Sequence, residues 1–294
     1  MVREREPILF IVNPFSGRGI PKNLSDRITK SFHNSRFNPV LVLTEKPGEA
    51  SEVAQTYLKK GVNKIFAVGG DGTVNEVGKA LVNTDVTMGI IPIGSGNGLA
   101  RHLRIPLDVA KAARIMYKQK IALIDYGLAN KNPFFCTAGL GFDAQVGARY
   151  GKLTKRGFRN YFKATLSEYF NYEPGYYKLR DNGYSMEKEA FLITIANASQ
   201  FGNNAYIAPE ADITDGLLDV TVISPFPRFM APSIGIKLFT KKLGKSKYVE
   251  MFRMHSLEIQ QMEPKYIHLD GEPQRVDEPI KFTIKPLGLK VYVP

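Results

Sequence analysis

Gly69-Gly70-Asp71-Gly72-Thr73-Val74-Asn75-Glu76 sets three glycines around one carboxylate, directly behind the apolar run Ile65-Phe66-Ala67-Val68. A turn without side-chain bulk lets a large polar ligand approach the backbone, and the free amides that open a helix form an anion site. A phosphate fits such a turn, with Asp71 beside it as a fixed carboxylate. Two further turns share this texture, Asn13-Pro14-Phe15-Ser16-Gly17-Arg18-Gly19 and Gly94-Ser95-Gly96-Asn97-Gly98. Downstream, Asp212-Ile213-Thr214-Asp215-Gly216-Leu217-Leu218-Asp219 holds acids three apart in a turn where carboxylate and carbonyl oxygens could bind Mg²⁺. A plain turn leading into a strand reads equally well there. His268-Leu269-Asp270-Gly271-Glu272-Pro273 puts two acids about a glycine. Asp-Gly is also a hairpin signal, and alone this segment reads as a hairpin. Phosphoryl transfer requires a polyphosphate cradle, a divalent cation and a carboxylate that orients or deprotonates the acceptor hydroxyl.

The elements that must position these residues are legible from periodicity. Ile8–Val12 is a continuous apolar run, as in a strand buried on both faces of a parallel sheet. A helical stretch over about residues 22–34 follows, then the strand Val40–Leu43, which ends at Thr44. Residues 48–60 read as a helix with Ala50, Val53, Ala54, Tyr57 and Leu58 on one side. After the strand at Ile65, Val74, Val77 and Leu81 recur at helical spacing, and Thr73 with Glu76 fits a capping box. Met88–Ile93 makes a fourth strand, and helices are expected from Leu99 and from Asp108. Four strand–helix alternations predict a parallel α/β domain. In such sheets ligands bind beyond the carboxyl ends of the strands, and three of the four strands end in these polar turns.

Past Asp125 the texture changes to short apolar segments between turn residues, among them Phe134–Ala138, Phe191–Ala196, Leu217–Ile223, Ser256–Gln260, Ile280–Ile284 and Leu289–Val293. Such spacing predicts an antiparallel β-sandwich. The expected organisation is therefore an α/β domain over residues 1–124 and a β-sandwich domain over 125–294, with no return of the chain to the first domain. Two basic stretches in the second half read as helical. One runs from Lys152 to Tyr169, with Lys152, Lys155, Arg156, Arg159 and Lys163 among Phe158, Tyr161 and Phe162; the other runs from Arg228 to Lys247.

Composition narrows the function. The 294 residues are 44% hydrophobic and 23% charged, as in a soluble globular protein. No apolar run approaches the roughly 20 residues that span a bilayer, and the N-terminus shows no secretory signal. Cys136 is the single cysteine, so an intrachain disulfide is excluded and a buried thiol expected. Four scattered histidines give no zinc spacing. A net charge of +12 attracts polyanions, whether nucleotides, nucleic acid or an anionic membrane face.

As a set, Gly69-Gly70-Asp71-Gly72-Thr73-Val74-Asn75-Glu76, Pro92-Ile93-Gly94-Ser95-Gly96-Asn97, Pro209 and Ala211 with Asp215-Gly216-Leu217-Leu218-Asp219-Val220, and Asp270-Gly271-Glu272 resemble the diacylglycerol kinase catalytic-domain family. That family includes bacterial lipid kinases, sphingosine kinases and ceramide kinases. The resemblance implies a lipid kinase dependent on ATP and Mg²⁺, with a first domain similar to those of phosphofructokinase and NAD kinase. By matching position, Asn13, Thr44, Gly69, Gly70, Asp71, Gly72, Thr73, Asn75 and Ser95 would contact ATP. Asp212 and Leu217, through their carbonyls, and Asp215 would hold a structural Mg²⁺. Glu272 would be the general base, reaching across to the triphosphate, with Asp71 beside the γ-phosphate.

The resemblance also implies a cytoplasmic protein that meets its lipid substrate peripherally at an anionic membrane surface. The sequence carries none of the recognition motifs of a nucleic-acid module, so no nucleic acid partner is expected; a homodimer is compatible with the sequence, which does not fix the oligomeric state. Two departures are Gly98, where bacterial members often carry an acid, and Gln145, where sphingosine kinases carry a head-group Asp. The alternatives are an NAD kinase-like enzyme and a non-catalytic basic protein that binds nucleotides or nucleic acid.

Overall fold

Short runs of β-branched and aromatic residues build the parallel sheet of the first half. In the computed structural model, which describes residues 5–17, 19–151, 165, 167–181, 183–261, 265–276 and 279–294, the chain divides into two compact units. The first comprises residues up to Ile124 together with Leu287–Pro294, and the second comprises Asp125–Pro286. Residues 152–164, most of the first basic stretch, lie outside the described residues.

In the first unit, β1 (Glu6–Val12), β2 (Phe37–Leu43), β3 (Lys64–Gly69) and β4 (Thr87–Pro92) pair in parallel in the order β2-β1-β3-β4. Ile8 to Val12 and Ile65 to Val68 are buried, as a strand covered on both faces requires. Phe10 stacks on Phe66 at 4.8 Å between ring centroids. Position 89 is glycine because a Cβ there would lie 2.2 Å from the Phe66 ring. The connecting helices are α1 (Leu24–Ser31), α2 (Glu49–Lys59), α3 (Asp71–Leu81), α4 (Gly98–His102) and α5 (Val109–Arg114).

The end of the chain corrects one expectation. The last strand, Ile280–Tyr292, begins in the second unit and finishes in the first, where Lys290 and Val291 pair in parallel with Thr87 and Met88 of β4. Leu289, Val291 and Tyr292 are buried there and continue the apolar sheet beyond β4. An isolated apolar run reads as a strand but carries no signal of which sheet it joins. The two predicted segments, 280–284 and 289–293, are one strand.

The second unit is the expected sandwich. One antiparallel sheet runs β12-β11-β10-β7-β14-β15, where β7 is Thr137–Gly141, β10 Leu192–Ala196, β11 Leu218–Ile223, β12 Val249–Met254, β14 Lys265–Leu269 and β15 Glu272–Val276. Facing it, Ser256–Gln261 pairs with Gly175–Asp181 on one side and with residues 280–283 on the other. Their inward residues, including Leu140, Ile195, Val220, Leu179, Ile259 and Phe282, form one core. Of the second basic stretch only Ala231–Phe239 (α7) is α-helical, flanked by single 3₁₀ turns at Arg228–Met230 and Leu243–Lys245. Earlier in the chain, Phe142–Gly151 forms α6.

Candidate functional site

The three polar turns of the first unit interlock. Asn13 leaves β1 with its amide on the Val68 carbonyl at 3.0 Å, and its Nδ2 donates to Thr73 Oγ1 at 3.1 Å. Ser16 Oγ accepts from the Gly70 amide at 3.2 Å and lies 3.4 Å from Thr73 Oγ1. The amides of Ile93 and Gly94 both donate to the Gly69 carbonyl, at 2.9 and 3.2 Å. Glycine is obligatory at this contact: a Cβ on Gly94 would stand 2.4 Å from Gly70 Cα, and one on Gly69 would stand 2.2 Å from Thr73 Oγ1. Gly70 opens α3 in an extended conformation (φ −96°), and no side chain caps the helix. A helix start without a side-chain cap, lined by hydroxyls and bare backbone, suits an anion.

The capping box does not form. Because the helix opens after Gly70, Thr73 is its third residue and Glu76 its sixth, out of register with such a box. Thr73 faces Asn13 and Ser16 instead. Glu76 reaches to α2, where its two oxygens accept from the Gly48 and Ala50 amides at 2.9 and 3.1 Å. Gly48 has no side chain with which to cap that helix itself. Thr44 is buried at the end of β2, its amide bonded to the Val12 carbonyl at 2.9 Å.

Asp71 binds the third turn. Its Oδ2 accepts from the Asn97 amide at 2.9 Å and its Oδ1 from the Gly98 amide at 2.7 Å, so one carboxylate fastens the start of α3 to the start of α4. Asn97 takes a left-handed conformation (φ 55°) and donates its Nδ2 to the Gly94 carbonyl at 2.9 Å. Its Oδ1 is buried without a partner, an acceptor next to the cradle. Ser95 is exposed at the tip of the turn, while Asn75 is buried on α3.

In the second unit the acid-bearing turn is held from below by Asp125. This wholly buried residue accepts from the Gly216 amide at 2.7 Å, and its own amide donates to the Ile213 carbonyl at 2.8 Å. A lone acid in the apolar segment Leu123-Ile124-Asp125-Tyr126 was a readable signal, since acids are almost never fully buried without partners. Asp212 and Asp215 are exposed, and their Oδ1 atoms accept from the amides two residues on, at Thr214 and Leu217. Asp219 is half-buried and Arg253 Nε donates to its Oδ1 at 3.0 Å, but its Oδ2 has no partner. Burial pushes the Asp219 carboxyl up against the pull of Arg253, with the charges of Asp215 and Glu210 adding to the rise.

Among the described residues no three acidic, histidine or cysteine side chains gather as a metal cluster. Mg²⁺ asks for less, taking one or two carboxylates and completing its octahedron with water and carbonyl oxygens. The concentrated negative charge and the orphaned Asp219 oxygen fit such an ion.

Asp270 and Gly271 form the hairpin between β14 and β15, both with positive φ (50° and 85°), as a tight two-residue turn demands. Asp270 is buried and accepts from the Phe135, Cys136 and Thr137 amides at 2.8–3.0 Å. His268 Nδ1 accepts from the Gly271 amide at 3.3 Å, which turns its Nε2 toward Asp143 Oδ2 at 3.1 Å. The hairpin is thus fixed at both corners, and it presents Glu272 exposed, with no partner among the described residues. Gln145 donates to Glu168 at 2.6 Å, so its amide is engaged with a carboxylate.

Residues 7–129 match the family model of the diacylglycerol kinase catalytic domain, and residues 136–293 match the YegS C-terminal NAD kinase beta sandwich-like domain. The "Probable lipid kinase YegS-like" proteins of Pseudomonas fluorescens Pf-5 and Pseudomonas aeruginosa PAO1 are each 30% identical over 256 residues. These matches cover 86% of this chain and 84% and 83% of the relatives. A crystal structure from Bacillus anthracis superposes with a TM-score of 0.80 at 25% identity, over 98% of this chain and 97% of its own. A diacylglycerol kinase of the same organism does so with a TM-score of 0.74 at 23% identity and the same coverage.

Proposed function

The chain belongs to the diacylglycerol kinase catalytic-domain family, and from that premise we propose that it transfers the γ-phosphoryl group of ATP to a hydroxyl of a diacylglycerol-like lipid. The observation that carries this reading is the interlocked cradle, in which Ser16, Gly70, Thr73 and Gly94 leave bare backbone and two hydroxyls around the start of α3. Asn13, Thr44, Gly69, Gly70, Gly72, Thr73, Asn75 and Ser95 hold the nucleotide. Asp71 acts as a positioning residue, keeping the Gly94–Gly98 turn against that cradle.

Glu272 is the catalytic carboxylate. An alcohol has a pKa far above neutrality, so Glu272 orients the hydroxyl and accepts its proton late, as the new P–O bond forms and ADP leaves. Its exposure and lack of a partner suit that task. The Asp143–His268 pair keeps the hairpin beneath it in place. Mg²⁺ bound through the Asp212 and Leu217 carbonyls and the Asp215 carboxylate would order the turn that Asp125 anchors. The lipid is met peripherally: no helix among the described residues is long and apolar enough to cross a membrane.

The test is incubation of the protein with a total lipid extract and ATP labelled at the γ-phosphate, followed by mass spectrometry. A labelled lipid carrying one added phosphate is expected. Label appearing on NAD, with none on lipid, would refute the proposal and favour the NAD kinase-like alternative.

A further inference from the structure

The outer face of α7 is apolar where a surface helix is ordinarily polar. Ile234 is buried and Leu238 packs partly buried, both against the inner cluster that holds Phe142, Leu192 and Ile223. The opposite stripe consists of Phe229 in the preceding turn, then Pro232, Ile236 and Phe239, spaced three, four and three residues apart. Phe229 is 80% exposed, Ile236 64% and Phe239 51%. Phe170, 56% exposed, belongs to the same patch: Tyr169 Oη donates to the Arg228 carbonyl at 3.1 Å and Arg228 Nη2 donates to the Phe170 carbonyl at 3.3 Å. A helix apolar on both faces is normally enclosed; this one is enclosed on one.

Charge identifies what encloses the other. The 30 residues between Asp219 and Glu250 include six lysines and arginines and no acid. Among the described residues, Lys237, Lys241, Lys242, Lys245 and Lys247 pair with no carboxylate. Lys241 and Lys247 lie over the rings of Tyr206 and Tyr248 at 4.5 and 5.2 Å, their ammonium groups held at the surface. Exposed aromatic and aliphatic side chains flanked by unpaired lysines are complementary to an anionic lipid surface, which takes the apolar groups between its headgroups and the ammonium groups on its phosphates.

We propose that this protein docks on anionic membranes through the outer face of α7, with Phe229, Ile236 and Phe239 inserted and Lys237, Lys241 and Lys242 on the lipid phosphates. The inference rests on the lipid kinase reading, since it places the enzyme where its substrate lies. None of these residues belongs to the nucleotide cradle or the Glu272 hairpin.

The test is co-sedimentation with phosphatidylglycerol–phosphatidylcholine vesicles, alongside kinase assays on lipid dispersed in detergent micelles. Lysine contacts near an anionic surface are worth about fivefold in binding each, so Lys237→Gln, Lys241→Gln and Lys242→Gln together should weaken partitioning by roughly 100-fold. That difference should shrink in 1 M salt, where screening reaches down to about 3 Å. Phe229→Ala, Ile236→Ala and Phe239→Ala together should weaken it by about tenfold or more at any salt. Both triple variants should keep the wild-type rate on micellar lipid.

Wild-type partitioning by both triple variants would overturn the proposal. So would a wild-type dimer in solution that the apolar substitutions convert to monomer, because the face would then be a subunit interface. Vesicle binding with the expected losses, but no phosphorylation of dispersed lipid by any form, would uphold the surface and overturn the kinase reading alone.

Discussion

Replacing Gly94 with alanine places a methyl group 2.4 Å from Gly70 Cα and 2.9 Å from Asn97 Oδ1. Ordinary van der Waals contact begins near 3.4 Å, so the turns after β3 and β4 must move apart by about 1 Å. Neither can yield by a rotamer change, since both sides of the contact are backbone. Overpacking of this kind costs about 1–3 kcal/mol in stability, which a unit with so well buried a sheet should survive. Function should suffer more, because a displacement of about 1 Å at a site that works by positioning is worth roughly 100-fold in rate.

The assay is ATP affinity by calorimetry, kcat/KM on micelle-dispersed lipid and thermal unfolding, for Gly94→Ala beside Gly61→Ala. Gly61 also has positive φ (81°) but nothing within 4 Å of a built Cβ, so its variant carries backbone strain without a collision. Gly94→Ala should lose about two orders of magnitude in kcat/KM and bind ATP measurably more weakly, whereas Gly61→Ala should lose only stability. Wild-type ATP affinity and turnover in a folded Gly94→Ala protein would refute the convergent cradle.

Glu76→Ala should destabilise the first unit by about 1–2 kcal/mol, since it strips both carboxylate acceptors from the Gly48 and Ala50 amides; chemical denaturation would show this, and an unchanged midpoint would contradict it. Asp108→Ala removes the acceptor of the Lys111 amide at 2.9 Å and the ion pair with Arg27, at a cost of about 1 kcal/mol at pH 7. The Lys111 amide and Arg27 hold the Asp108 carboxyl below its ordinary value, so its contribution is complete above about pH 4 and lost as pH falls through the folded value. Wild type and variant should therefore converge in stability at strongly acidic pH. Added Mg²⁺ should raise the unfolding temperature of the wild type and do so less for Asp215→Asn; an equal rise in both would exclude the turn as a cation site.

The first unit was largely legible because a strand buried on both faces must be apolar throughout. Ile8–Val12, Ile65–Val68 and Met88–Ile91 announce themselves, and the glycines behind them mark where backbones meet. Strands at the edges of sheets were harder. Tyr184–Ala190 and Glu272–Val276 were missed because edge strands carry charged residues that discourage pairing with other chains, which erases the alternation a reader looks for.

In the site, the glycine turns and Asp71 were visible from spacing, whereas Asp215 and Glu272 took their roles from the family resemblance. The supports Ser16, Asn97, Asp143 and His268 were not legible, because each acts through a partner 54 or more residues away, or on backbone whose position only the fold reveals. Glu76 shows the same limit from the other side. Its spacing from Thr73 suggested a local cap, but the helix began at a residue that made the local partner unreachable, and a neighbouring helix took it.

The central claim, that the nucleotide is held by the first unit while Glu272 accepts the proton of the lipid hydroxyl, is tested most directly by one comparison. ATP affinity and kcat on micelle-dispersed lipid are measured for the wild type and for Glu272→Gln, which keeps the shape of the side chain and removes its basicity. The account predicts unchanged ATP affinity with kcat lowered by roughly 100- to 10,000-fold, the usual worth of a positioned base. A Glu272→Gln enzyme that turns over near the wild-type rate would contradict it.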